Sequence, residues 1–285
     1  MRALFGPAGN SDSFAEAGHK KTAEAPAFVS SFGLTAYEYQ CGHGVRVSES
    51  AAAVFRREAE KYQIMVSLHS PYYISLSSTE KEKRDNSIDY ILQSARAARL
   101  LGAKRVVVHS GSAGKISREE ALELAKDTLV RAAMAMRSEG LDDIILCQET
   151  MRKFNQLGDL HEVMELCKAD DSFLPCIDFG HLNARTLGSL KTAADYAKIL
   201  DTIGNELGTD RLRCFHSHFS KIEYPQNGRE KPHFLFDDQT YGPEFEPLAE
   251  LIAKRGLSPT FICESAGTQA EDAATMQKMY LKYLK

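Results

Sequence analysis

Short apolar runs alternate along the chain with longer segments whose apolar residues recur every three or four positions. The short runs are Arg2–Phe5, Ala36–Tyr39, Ile64–Leu68, Arg105–His109, Asp143–Cys147, Leu174–Ile177, Leu212–His216 and Thr260–Cys263. Their length and β-branched content predict strands. Between them, Ser87–Leu101 and Glu119–Arg137 carry the clearest helical periodicity. The first stops at Gly102, a residue that terminates helices without steric cost. The second opens after Ser117, with Glu120 three positions on, the spacing of a capping box. Strand–helix alternation repeated eight times predicts a parallel sheet. Eight such units in 285 residues predict a closed (β/α)8 TIM barrel, one domain over residues 1–285. The competing architecture, an open doubly wound sheet, carries a GxGxxG turn that this chain lacks.

Composition changes this picture little. The chain is 43% hydrophobic and 26% charged, ordinary for a soluble globular domain. A net charge of −4 excludes the basic footprint of a non-specific nucleic-acid binder. A carboxylate-rich site, however, reads as acidic until metal ions neutralise it. Cysteines stand at 41, 147, 167, 176, 214 and 263, with no CxxC pair, and read as reduced, buried thiols. Met1–Asn10 has no basic segment leading into a long apolar one, and no apolar run reaches membrane length. The expectation is a cytoplasmic protein with no membrane contact and no obligate protein partner. The stretch Lys221–Pro243 holds three prolines and two glycines, and follows the seventh predicted strand. Irregular segments of that length inside compact domains tend to be functional.

The chemistry sits at the ends of the runs. The third ends in His69, the fourth in His109 and the fifth leads into Glu149. The sixth leads into Asp178, with His181 just beyond, the seventh ends in His216, with His218 two further on, and the eighth leads into Glu264. Side chains at the C-terminal ends of barrel strands converge on one mouth. A single histidine there is more often an ordinary hydrogen-bonded residue, and a single acid more often caps the next helix. Six consecutive strands ending in an imidazole or a carboxylate are another matter. Such ligands suit zinc, with manganese or iron as alternatives. Six exceed what one tetrahedral ion can use, so two or three ions with a bridging carboxylate are expected. Metals roughly 3.5–4 Å apart can clamp the attacking and leaving oxygens of a displaced phosphate.

Several pieces together resemble endonuclease IV, the family 2 apurinic/apyrimidinic endonucleases within the xylose isomerase-like barrels. They are Leu68-His69-Ser70-Pro71-Tyr72, Val108-His109-Ser110-Gly111-Ser112, Glu149-Thr150 followed by Asn155-Gln156-Leu157-Gly158, Cys176-Ile177-Asp178-Phe179-Gly180-His181, His216 with Lys221, and Glu264-Ser265. They run from the third strand to the C-terminus in the family's order. The resemblance implies three zinc ions and cleavage of the DNA backbone 5′ to an abasic site. By position, His69, His109 and Glu149 would hold the first ion. Glu149 would bridge to a second, completed by Asp178, His216 and Glu264, and His181 and His233 would hold a third. Glu149, Lys231 and Tyr72 would stand at the reacting centre, Tyr72 matching the family residue that inserts at the lesion.

The chain departs from that pattern in three places. Lys231 stands where the family has an aspartate, and an ammonium cannot ligate. A third ion would need another acid, such as Asp237 or Asp238, or Lys231 supplies a fixed positive charge in its place. His216 and His218 share strand parity, so both can face the mouth. His216 is the preferred ligand, with His218 a competitor or a phosphate contact. The loop Gln40–Arg46 has one arginine and no obvious wedge for reading bent DNA, and Tyr72 serves equally as loop packing.

Elsewhere, His19 and His161 read as surface residues, His43 as a loop residue, and Glu38 as a core residue or a partner to a ligand. The mixed-sign Lys81-Glu82-Lys83-Arg84 reads as a solvated helix start. Three functions compete. The first is a metal-dependent phosphodiesterase on abasic DNA. The second is an isomerase or epimerase on a small sugar, using one metal with Glu149 and Glu264 to move a proton beside a carbonyl. The third is a non-catalytic metal binder. The number of ligands favours the first.

Overall fold

The computed structural model describes residues 2–284 apart from 224–232, 235 and 237. Eight parallel strands form the sheet: β1 Leu4–Pro7, β2 Ala36–Gln40, β3 Met65–His69, β4 Arg105–His109, β5 Ile145–Glu149, β6 Leu174–Asp178, β7 His216–Phe219 and β8 Thr260–Cys263. Their order is β1-β8-β7-β6-β5-β4-β3-β2, each parallel to its neighbour. β1 and β2 then meet across the remaining seam. Thr35 N donates to Phe5 O at 3.0 Å and Gly9 N to Glu38 O at 2.9 Å. Gly6 permits that approach, because a Cβ there would lie 1.8 Å from Ala36 O. The result is the (β/α)8 barrel that the alternation predicts, in one domain.

Alternation along each strand divides the apolar residues in two. Val106 and Val108 point outward into the large core under the helices. Val107, between them, packs inward with Cys147, Leu174 and Cys176 in a small separate cluster. Ala8, Ala36 and Ile262 form a second small cluster with Leu4, and the interior also holds buried polar residues: Glu38, Ser67, His216 and His218. This is unusual filling for a barrel, whose interior is normally layered with branched aliphatics.

The helices obey their local signals. One runs Lys81–Leu101 and ends at Gly102, whose φ of 76° is the left-handed region that glycine takes freely. Another runs Arg118–Ser138, and the Ser117 hydroxyl accepts from Glu120 N at 3.1 Å. The seventh strand departs from expectation. Leu212 belongs to the short helix Thr209–Cys214, and the strand begins at His216. The inward positions of β7 are both histidines, so the strand lacks the apolar signature that marks the others, and the apolar signal falls on the helix before it. The first and fifth strands begin two residues later than predicted, at Leu4 and Ile145.

All six cysteines are free thiols, five of them buried. Among the described residues no helix is long and apolar enough to cross a membrane. After β7, Lys221–Ile222 pairs antiparallel with His233–Phe234.

Candidate metal centre

Glu149, at the end of β5, is the hub of the barrel mouth. Its Oε2 lies 3.4 Å from His69 Nε2 and 3.3 Å from His109 Nε2. Its Oε1 lies 3.2 Å from His218 Nδ1 and 3.4 Å from His181 Nδ1. Glu264 Oε1 approaches His218 Nδ1 at 3.4 Å, and Asp178 Oδ2 approaches His181 Nδ1 at 3.1 Å. Ligand atoms of Glu149, Asp178, His218 and Glu264 all fall within 4.8 Å of one another, as do those of His69, Glu149 and His218. These groups could hold metal.

Each element delivers its side chain by simple means. His69, His109, Glu149 and Asp178 are the last residues of their strands, all inward by parity. Asp178 also caps the helix Phe179–Arg185, its Oδ1 accepting from His181 N at 2.8 Å. The cap folds His181 back over the mouth, so one carboxylate serves as both cap and site residue. Gly180 lets this turn sit on β7, since a Cβ there would stand 2.5 Å from Ser220 O.

Two imidazoles, His69 and His218, are held through one nitrogen and present the other. His69 Nδ1 pairs with Ser70 O at 2.9 Å, which assigns its proton to Nδ1 and leaves Nε2 toward Glu149. His181 differs, because the nitrogen that faces Glu149 and Asp178, Nδ1, is also the one paired with Thr150 O at 2.9 Å. His218 Nε2 makes a 2.9 Å ion-pair contact with Glu38 Oε1, leaving Nδ1 toward Glu149 and Glu264. Metal-ligating histidines are held in this way, with the second ring nitrogen engaged by a carbonyl or carboxylate.

The electrostatics point the same way. Burial alone would raise the Glu149 carboxyl, but the imidazoles of His181, His218 and His69 hold it well below the usual range. Burial pushes Glu264 up to about 7 against the pull of His218. Burial opposes charge on His181, yet Asp178 and Glu149 raise it to about 9, while His109 is lowered to about 4 by burial. Among the described residues, Glu149 Oε2 and Asp178 Oδ2 are buried without a hydrogen bond, facing only the imidazole contacts given above. A buried anionic oxygen is costly unless a cation faces it, so this nitrogen–oxygen donor set fits a zinc-type ion.

The centre opens into a cavity of about 610 Å³. Tyr72 stands at its lip, half exposed, with its ring stacked on His109 at a centroid distance of 5.6 Å. Arg152, Lys153, Gln156 and Gln269 also line it. Arg152 and Lys153 carry no strand-end signal in the sequence, and only the course of the loop after β5 brings them there.

The structure thus brings together His69, His109, Glu149, Asp178, His181 and Glu264. His216 is not among them. It sits one layer deeper, fully buried, with Nε2 2.9 Å from Glu38 Oε2. Two residues along β7 span one inward step, so only His218 reaches the mouth, and the preference for His216 gives way to His218. His233 lies on the short ladder beside Ile222, its side chain outside the described residues. Lys231 and Asp237 also lie outside the described residues. Asp238 turns its Oδ1 to the backbone of Thr240 and Tyr241.

Residues 26–283 match the family described as xylose isomerase-like TIM barrel. An uncharacterised protein of Methanocaldococcus jannaschii is 32% identical over 247 residues, 87% of each chain. A probable endonuclease 4 of Mycoplasma pneumoniae is 28% identical over 159 residues, 54% of this chain and 52% of that relative, about half its length. Among solved structures, a D-tagatose 3-epimerase-like protein superposes with a TM-score of 0.68 at 19% identity, covering 87% of this chain and 89% of that one. Endonuclease IV from Thermus thermophilus superposes with a TM-score of 0.67 at 20% identity, covering 92% and 93%. At those identities the two structures share a fold with this chain and nothing finer. The chain belongs to the xylose isomerase-like TIM barrel family.

Proposed function

We propose that the protein is a zinc-dependent phosphodiesterase that cuts the DNA backbone 5′ to abasic sites. One observation carries this reading. The two oxygens of Glu149 face different imidazoles, with His69 and His109 on Oε2 and His218 on Oε1. A carboxylate so placed can bridge two ions, one on the His69–His109 side and one on the Asp178–His218–Glu264 side. Zinc held there would neutralise the charge of a phosphodiester and acidify water for its hydrolysis.

The chain's own residues supply the rest. Tyr72 offers a flat aromatic face at the lip, against which an extruded sugar can rest. Arg152 and Lys153, in the same cavity, give positive charge toward flanking phosphates. His181, with His233 and Lys231 from the segment after β7, would complete a third position, as an ion site or as a fixed cation. Free thiols throughout accord with a cytoplasmic setting.

The experiment is zinc content per chain by elemental analysis, with incision of an abasic-site duplex assayed on the same sample. Two or more ions with incision support the reading. One ion without incision overturns it in favour of a sugar epimerase. That second reading has its own support, because Glu149, Asp178, His218 and Glu264 alone make a four-ligand site that already contains the pair Glu149 and Glu264. His69 and His109 are surplus to it, and for that reason we place it second.

A further inference from the structure

Below the mouth, the barrel interior holds a carboxylate that no strand-end pattern marks. Glu38, on β2, is fully buried. Its Oε2 takes His216 Nε2 at 2.9 Å and the Ser67 hydroxyl at 2.8 Å. Its Oε1 lies 2.9 Å from His218 Nε2, an ion-pair contact that lacks hydrogen-bond geometry, and accepts from Gln40 Nε2 at 3.2 Å. Both imidazoles of β7 therefore rest on one carboxylate. The far nitrogen of His216, Nδ1, faces Arg105 Nη1 at 3.5 Å. Arg105 also donates to Thr260 Oγ1 at 3.1 Å and to Cys214 O at 2.9 Å.

A guanidinium has donors only. His216 must therefore turn a lone pair to Arg105 and carry its proton on Nε2, toward Glu38. This occupies Oε2 with a donor and leaves Oε1 as a pure acceptor for His218. A carboxylate accepts at both oxygens, so it can hold the proton of each imidazole on Nε2. An amide cannot, because one of its ends is a donor.

We propose that Glu38 is a positioning residue that fixes His218 in the Nε2–H tautomer, turning the Nδ1 lone pair to the ion shared by Glu149, Asp178 and Glu264. The inference rests on the metal-centre reading above. In Glu38→Gln the carbonyl must stay with His216 and Ser67, because Arg105 still dictates the His216 tautomer. The NH2 end then faces His218, which has to shift its proton to Nδ1 and lose its ligand lone pair. The substitution is isosteric and removes a buried charge, so the barrel itself is expected to persist.

The test is zinc affinity by chelator competition, with ions counted per chain, for the wild type and Glu38→Gln. Thermal unfolding of the metal-free forms is measured beside it. The expected result is a metal-free Tm near that of the wild type, with affinity for one ion weakened about 10–100-fold, the usual cost of losing such a partner, and the other ion retained. Unchanged affinity for both ions would overturn the proposal while leaving the metal-centre reading intact. A wild type that binds no zinc would overturn that reading and the proposal with it. Should Glu38→Gln fail to fold, Ser67→Ala and Gln40→Leu each remove one donor that holds the carboxylate. Weaker zinc binding in both supports the proposal, and wild-type affinity in both overturns it.

Discussion

His216 and His218 lie two residues apart on one strand and face the same interior, yet only His218 lies within 3.2 Å of Glu149, while His216 rests on Glu38 a layer below. The difference separates their expected phenotypes. His218→Asn should lose an ion and most activity. His216→Asn breaks a buried hydrogen bond to a carboxylate and should lower stability by about 1–3 kcal/mol. Denaturant melts and zinc counts on both variants check this. Loss of an ion with no loss of stability in His216→Asn would reverse the assignment.

Glu149 faces imidazoles with both oxygens, so one substitution should remove two ions. In Glu149→Gln the zinc content is expected to fall toward zero, with incision lost in parallel. Elemental analysis decides it, and retention of full metal content would remove the bridging role.

Lys231 stands where the resembling family has an acid, so the third position is expected to lack its full ligand set. Lys231→Asp should raise zinc content toward three per chain. A count equal to that of the wild type would mean that Lys231 does not stand at that position.

Arg118 and Glu162 couple stability to the loop that lines the cavity. Arg118 donates to both Glu162 oxygens at 2.7 Å, and to Phe154 O at 2.8 Å and Gln156 O at 3.0 Å. Glu162 Oε2 also accepts from Gly158 N at 2.8 Å. Burial alone would raise the Glu162 carboxyl, but Arg118 and the Asp159 and Gly158 N–H groups hold it below its ordinary value. A carboxyl depressed in the folded state contributes stability above its unfolded pKa, about 4.3. That contribution is lost as pH falls through the lower, folded value. Glu162→Gln should therefore be less stable than the wild type at pH 7, by about 1–3 kcal/mol. The gap should narrow only below about pH 4. Urea melts across that range test it, and a gap that is constant with pH would exclude the ionic contribution.

Much of this was legible without coordinates. The periodicities of 2 and 3.6 place seven of the eight strands and the helices between them, because each of those strands buries an apolar face against a helix. His69, His109, Glu149, Asp178 and Glu264 are legible as a set for a geometric reason: parallel strands of a barrel end at one rim. The boundary of β7 was not legible. Its inward residues are polar, and the hydrophobic pattern that finds strands therefore points to the helix before it. Glu38 was open between core residue and ligand partner. Nothing local distinguishes a carboxylate buried against two imidazoles from one that is solvated.

By itself, then, the amino-acid order determined the barrel, the ring of ligand-type side chains at its mouth and the family resemblance. All of these depend on short-range periodicity and on which residue ends each strand. The tertiary structure alone decided that His218 rather than His216 meets Glu149, that Glu38 stands beneath it, and that Arg152 and Lys153 turn into the cavity. Those relations join residues from β2, β5, β7 and a loop that are far apart in the chain. They depend on how deep each side chain sits along the barrel axis, a coordinate set by strand stagger and packing and not by any spacing within one segment.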